Sequence, residues 1–497
     1  MNIVLNEPLD NLSSQDIDLT GKATPKRFRW IDCNELTAKN RLQILESISI
    51  EGISYTAISY VWAGKAHTCI PGCLGSFNVV GATDSDPISI DLLRTASIAA
   101  SSLGTQYLWL DRVCIMQADK VDKNWQIMNM FSIYKGCEAC FVFLGGLQRL
   151  VTLQEETDWI YRAWTHQEAL VPKDVRCVFQ WEHGTVETQG VTSGKIEEIE
   201  DRYSAMMELR YLLQASYVGH FSYRSFTEKI AIFGRARGLI TALMGALNLR
   251  EDDAKENTIW RSALMRTSKR DVDMIFSIMG MFGVQLDAGQ YPSQRDATMA
   301  LAKAILSKGG RANWIVGSLA NTVPIPEFPD ASNSGHPGRA MIDGKAVNEI
   351  DIDWTVSDAP FGRIDEFGTL KITAPMAVVT IAPSLSPKSP FWVGFTSTAF
   401  VRINTVGGTL DEESEADFIG EPGTHALFAG NIRQFSLPAT AARASRQDKL
   451  LLLIDRCGSG EAGNRWHKKG MAVVGEEQVA SFTSCEVEFS YCCRGKV

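Results

Sequence analysis

Residues 51–185 predict an α/β domain built on a mostly parallel sheet, and two observations carry that expectation. Short apolar runs recur at Tyr55–Val61, Tyr107–Leu110 and Ala139–Leu144, and helix-like stretches at Ser89–Ser102 and Asp122–Tyr134 alternate with them. The runs are continuous, as in strands covered on both faces. A helical region over 186–320 and a mostly β C-terminal domain over 340–497 are expected to follow, with 1–50 as an amino-terminal extension.

Each element has its own justification. Tyr55–Val61, YTAISYV, is β-branched and aromatic and is closed by Gly64; the next stretch, WAGKAHTCIPGCLGSFN, is too rich in Gly and Cys for a helix. Ser89–Ser102 places Ile90, Leu92, Leu93 and Ile98 at helical spacing, and Tyr107–Leu110 is a short strand ending at Asp111. In Asp122–Tyr134, Ile127, Phe131 and Tyr134 form one stripe behind an acidic start suited to a helix N-terminus. Ala139–Leu144, ACFVFL, ends at Gly145 and Gly146. Long helical patterns fill Ala205–Leu249 and return at Asp271–Met281. After the linker NTVPIPEFPDASNSGHPGRA, short strands separated by Gly, Asp and Ser predict a small antiparallel barrel or sandwich. They fall at Thr369–Thr373, Val378–Ile381, Phe391–Phe395, Phe400–Ile403, Lys449–Leu453, Met471–Val474 and Val487–Tyr491.

Composition narrows the class. A chain of 497 residues with 45% hydrophobic content is long for one core. A net charge of -9 without a long basic block argues against nucleic acid and anionic membrane as partners. The start, MNIVLNEPLDNLSSQ, is too acidic and polar for a signal peptide, and no apolar run approaches the roughly 18 residues of a membrane span. Eleven scattered cysteines fit free thiols in a reducing compartment, so a cytoplasmic location is expected. No metal site is expected. His67, Cys69 and Cys73 lack a fourth ligand nearby, Cys137 and Cys140 read as buried thiols where a helix meets a strand, and the adjacent Cys492 and Cys493 cannot easily chelate one ion.

Ligands of such sheets gather at the carboxyl ends of the strands. That rule selects Trp62 after the first strand, Asp111 and Arg112 after the second, and the Gly145–Gly146 turn after the third. RAWTHQEA adds Trp164, His166 and Glu168, with Trp164 and Glu168 four apart on one face if the piece is helical. Each has a plain alternative: core or lid aromatics for Trp62 and Trp164, a helix cap for Asp111, and a structural partner for Arg112. Trp109 suits a bulky core or an aromatic ligand equally.

Three ordered segments carry a family resemblance. YTAISYVWAG, then QYLWLDRVCIMQADKVDKNWQIMNMFSIYKGCEACFVFLGG, then RAWTHQEALVPKDVRCVF resemble the signature of the fungal heterokaryon incompatibility (HET) domain. The likeness covers roughly residues 51–180. RTSKRDVDMIFSIMGMFGV at 266–284 is similar to a segment that often follows this domain, and RWHKKGMAVVG at 465–475 resembles a recurrent tail segment. Val61, the inserted Ala63, Arg112 and Met116 depart from the usual pattern. The family in turn resembles the TIR fold, a flavodoxin-like sheet used in immunity and cell-death signalling. By that resemblance, Glu168 would be the catalytic acid that cleaves the nicotinamide–ribose bond of NAD, with Trp164 beside it. Trp62, Asp111, Arg112, Trp164 and His166, which the strand-end rule and the RAWTHQEA piece single out, are the expected substrate-binding residues.

The chemistry suits that residue type. Nicotinamide leaves as a neutral amide and needs no general acid, whereas a carboxylate stabilises the oxocarbenium-like ribosyl centre. An indole could stack on the nicotinamide and exclude water. No Gly-x-Gly-x-x-Gly follows a strand, so NAD would be a substrate and no cofactor is expected. The partners implied are a small-molecule substrate and a homo-oligomeric neighbour. A Cys114–His166 thiol pair competes with this reading, as do a specialised enzyme for another small molecule, held through Arg112, and a noncatalytic recognition or scaffold protein.

Overall fold

In a computed structural model, residues 1–66, 73–189, 193–234, 236–249, 253–315, 341–342, 345–346, 354–381, 392–395, 400–402, 425–434, 449–456, 466–474, 479–480 and 482–489 are described. His67, Cys69, Cys492 and Cys493 lie outside them. The chain forms two compact units: Met1–Ala236 with Phe276–Tyr291, and Arg237–Ile275 with Pro292–Val497. Among the described residues, no helix is long and apolar enough to cross a membrane.

The first unit is a mixed α/β structure around a ten-stranded sheet. Tyr55–Tyr60 lies at its centre, with every residue buried, parallel to Tyr107–Trp109 on one side and to Ala139–Phe143 on the other. Val175–Gln180 extends the parallel run beyond Ala139–Phe143. Across this part of the sheet the strands therefore stand second, first, third, fourth in chain order. Tyr60 is level with Phe143, so the chain leaves these two strands side by side.

The parallel pairing expected within 51–185 is present in these four strands, and the sheet continues beyond those bounds with antiparallel flanks. Phe28–Asp32 pairs antiparallel with Tyr107–Trp109 and with Arg41–Ser47, which Asn2–Pro8 covers in turn. The segment 1–50, read from sequence as an extension, thus supplies three strands of the same sheet. On the other side Ser204–Glu208 pairs antiparallel with Val175–Gln180 and with Lys195–Glu200. The turn between Lys195–Glu200 and Ser204–Glu208 is too short for the crossover that a parallel pair requires.

Ala205–Leu249 is likewise not continuously helical. Ser204–Glu208 is a strand, Leu209–Val218 is a helix ended by Gly219 in the left-handed region (φ 92°), and His220–Tyr223 pairs with Phe226–Lys229 as a hairpin. The residues of SAMME favour helix intrinsically, and pairing on the sheet overrides them.

Helix starts follow local chemistry. The Ser89 hydroxyl accepts from Leu92 N and begins Ile90–Ser102, while the Asp119 carboxylate accepts from the amides of Val121 and Asp122 and begins Lys120–Gly136.

One buried ion pair ties the flank to the centre. Arg29 and Asp122 are fully buried and paired bidentately, Nη1 to Oδ2 at 2.9 Å and Nη2 to Oδ1 at 3.0 Å. Arg29 also donates to the carbonyls of Cys114 and Thr24, and Asp122 accepts from the amides of Lys26 and Met116. The loop after the Tyr107–Trp109 strand hangs from this pair.

The second unit contains helices Arg237–Asn248, Asp253–Leu264 and Gln294–Ser307 together with the C-terminal β-rich region. Its nine-stranded sheet is antiparallel throughout, with Leu370–Ile381 and His425–Gln434 central. Asn257 joins helix to sheet: its Nδ2 donates to Asn313 O, and its Oδ1 accepts from Thr355 Oγ1 and Val356 N.

Arg29→Leu leaves Asp122 as an unpaired buried charge, and is expected to cost about 3–5 kcal/mol in the first unfolding transition. R29L/D122L should be less destabilised than the sum of the two single variants in denaturant titrations. Additive losses would show that packing, not pairing, holds the site.

Candidate functional site

The carboxyl ends of the first two parallel strands carry Trp62, Asp111 and Arg112. Asp111 sits two residues beyond the Tyr107–Trp109 strand. Its Oδ2 accepts from Trp62 Nε1 at 2.8 Å, and its Oδ1 accepts from the Tyr60 hydroxyl and from Arg112 N at 2.6 Å. Arg112 donates through Nε to the Tyr60 hydroxyl at 2.8 Å and through Nη1 to the Asp86 carbonyl, and its guanidinium lies 4.9 Å from the Tyr60 ring centroid. Tyr60 therefore relays Arg112 to Asp111. Burial first of all pushes the Tyr60 phenol well above its ordinary range, so it stays a neutral donor.

Asp86 locks the loops around this group. Its N–H donates to Trp62 O at 2.9 Å, its carboxylate accepts from Gly64 N at 2.7 Å, and its carbonyl takes Arg112. The loop carrying Gly64 also crosses the Gly145–Gly146 turn in backbone contact. Lys65 N donates to Gly145 O at 2.7 Å, and a Cβ on Gly64 would stand 2.1 Å from that oxygen. No side chain fits at position 64.

Glu168 lies on the Trp164–Leu170 helix and is buried, with 6% of its surface exposed. Its Oε2 accepts from Ser59 Oγ at 2.5 Å, and Ser59 Oγ accepts from Trp159 Nε1 at 2.8 Å. Burial pushes the Glu168 carboxyl up to about 8; the Ser59 hydrogen bond pulls it down, the Asp111 charge pushes it up, and Arg162 opposes that. At neutral pH the group is largely protonated. Tyr134 adjoins it, donating to Ile58 O at 3.1 Å and pushed far up by its own burial and by the charge of Glu168.

The structure thus joins Trp62, Asp111 and Arg112 by hydrogen bonds through Tyr60, and couples Glu168 to Asp111 electrostatically. Trp62 and Trp164 are partly exposed, Arg112 is 1% exposed and His166 is fully buried. The Arg112 guanidinium holds the strand end through Nε and Nη1, while its buried Nη2 has no hydrogen-bond partner among the described residues. Trp109 is core, edge-on to Tyr134 at 5.6 Å.

Cys114 does not fit an activated nucleophile: it is buried, and burial pushes its thiol up to about 12. Cys137 and Cys140 are buried and raised likewise, and no group of three His, Cys, Asp or Glu able to hold a metal occurs among the described residues. Sequence reasoning missed Ser59, Tyr60, Asp86 and Trp159. Only Ser59 and Tyr60 gave a signal, as polar groups ending an otherwise apolar strand.

Comparison with known proteins adds one match: a family model described as heterokaryon incompatibility protein (HET) matches residues 55–154 of the 497. No curated protein matches the chain, and no solved structure does. The matched segment runs from the first buried parallel strand past the Gly145–Gly146 turn.

Because Glu168 is raised from 4.5 to about 8, the folded state holds a proton there that the unfolded chain has lost between those values. Its stabilising share is complete below 4.5 and is lost as pH rises through 8. Wild type should therefore fall in stability relative to Glu168→Gln by roughly 1.4 kcal/mol per pH unit inside that window. Melting curves of the two proteins from pH 5 to 9 measure this, and a constant offset would show that Glu168 titrates normally.

Proposed function

We propose that this protein is a HET-type effector of fungal incompatibility or cell-death signalling, with residues 55–180 as its effector domain. The observation that carries the reading is the HET match on 55–154, which falls on the central strands that bear Trp62 and Asp111 at their carboxyl ends and Ser59, the hydrogen-bond partner of Glu168. The parallel strand order supports a flavodoxin-like, TIR-like core, since open sheets of that class share it. The antiparallel Ser204–Glu208 strand stands where such a sheet has its fifth strand.

Within this reading Glu168 cleaves the nicotinamide–ribose bond of NAD. The bond to the nicotinamide nitrogen breaks with its electron pair, the ribosyl centre becomes oxocarbenium-like, and ionised Glu168 stabilises it until water adds. Trp62 and Trp164, both partly exposed, are the aromatic surfaces available to the bases, and Asp111 orients Trp62. A homo-oligomer completes the site in this scheme. The burial of Glu168 favours a second reading, in which the acid holds Ser59 and the helix together and the domain acts by recognition alone. Another small molecule at the same strand ends is the remaining enzymatic alternative.

Chromatographic assay of nicotinamide and ADP-ribose, on dilute and on assembled protein, separates these readings. NAD cleavage is expected to rise with pH toward about 8, where Glu168 becomes a carboxylate, and to disappear in a folded E168Q. Cys114→Ala should retain turnover. Absence of product in both states, or equal product from E168Q, rejects NAD cleavage and leaves recognition.

A further inference from the structure

A second place in the first unit has the features of a binding site, and its lining includes none of Trp62, Asp111, Arg112, Trp164, His166 or Glu168. Gln180 ends the fourth parallel strand, and beyond it Trp181, Glu182 and His183 turn over a cleft of 180 Å³ that Gln154 and Glu228 close from the other side. Carboxyl ends of parallel strands are where open sheets of this type bind ligands. Three segments wall the cleft and are held by backbone hydrogen bonds: Gln180 N to Val151 O at 2.9 Å, Trp181 N to Tyr203 O at 3.1 Å, and Ala231 N to Leu153 O at 2.9 Å.

The lining defines the ligand. Glu182 and Glu228 take part in no ion pair among the described residues, in contrast to Glu155, which Arg149 neutralises at 2.5 Å. Gln154 Nε2 donates to Glu228 Oε1, which fixes that carboxylate without cancelling its charge. The aromatic wall is His183 edge-on to Trp181 at 4.9 Å, and Tyr223 supports Trp181 at 5.3 Å. The Trp181 ring is oriented by its Nε1–H, which donates to Gly184 O at 2.8 Å. Uncompensated carboxylates beside aromatic rings attract cations, the rings through their quadrupoles and the carboxylates by charge. Pockets for drug-sized molecules run to roughly 300–1,000 Å³, so 180 Å³ suits one head group rather than a nucleotide.

From these observations we infer that the cleft formed by Gln154, Gln180, Trp181, Glu182, His183 and Glu228 binds an organic cation, the guanidinium or alkylammonium head of a basic side chain or of a free small molecule. A guanidinium is the better fit, because its planar fork matches carboxylates bidentately and it also stacks on exposed rings such as His183.

Calorimetric titration of the full chain with acetyl-arginine amide, acetyl-lysine amide, choline and the uncharged acetyl-citrulline amide tests this. Saturable binding of arginine amide is expected, weaker at high salt. It should fall by roughly ten-fold or more in E182Q/E228Q, whose melting curve should match wild type. E182Q alone alters an exposed side chain and should give a smaller loss in the same direction. An alanine-flanked arginine peptide separates the sources. Much tighter binding of the peptide assigns the site to a partner protein, and equal binding assigns it to a free cation. Absence of saturable binding, equal binding of citrulline amide, or undiminished binding by E182Q/E228Q overturns the inference.

Discussion

The Arg29–Asp122 pair is the constraint on which the first unit depends. A buried guanidinium and a buried carboxylate are tolerated together because most polar atoms around them are used: both acid oxygens are shared between guanidinium and backbone amides, and Nη1 and Nη2 of Arg29 also reach carbonyls, leaving only Nε without an acceptor among the described residues. The pair stands where the Phe28–Asp32 strand, the loop following Asp111 and the start of the Lys120–Gly136 helix meet. Asp111 and Arg112 can hold Trp62 and Tyr60 only while that loop is fixed. Positional precision at the strand end is thus set on its far side, by residues no ligand would touch.

The strand end itself shows a division of labour between polar groups. Arg112, Tyr60 and Asp86 are absorbed in bonds to one another and to backbone, whereas Trp62 and Trp164 keep surface open. Glu168 stands between these classes. It is held like a structural group, yet it is electrostatically coupled to Asp111 and protonated where most glutamates are ionised. Such displaced titration marks functional acids and buried structural acids alike.

Much of the core was legible in the sequence because its signals are local. YTAISY is rich in β-branched and aromatic residues, ACFVF is apolar throughout, and Ser89 and Asp119 stand directly before helical patterns. Trp62 and Asp111 could be expected together because both immediately follow strands. What escaped depends on distant partners. FRWID and RLQILES carry ordinary strand chemistry, but only pairing with Tyr107–Trp109 makes them part of the sheet. Nothing in the polar loop GATDSDP distinguishes Asp86 from its neighbours, and nothing near Trp159 announces that its indole reaches Ser59 one hundred residues away. Arg112 is selected because it follows a strand, and nothing in the sequence points to Tyr60 and the Asp86 carbonyl as its acceptors.

The order of strands in the sheet also sets a timetable for synthesis. Asn2–Pro8, Arg41–Ser47 and Phe28–Asp32 can form an antiparallel trio as soon as they leave the ribosome, but the open side of Phe28–Asp32 then has no neighbour until Leu108 arrives to meet Ile31. At about 5–20 residues per second that wait lasts several seconds. Through it the nascent chain displays an unpaired strand edge, FRWID, that another strand could join. Translation speed between residues 47 and 108, and the holding chaperones present during it, therefore bear on yield.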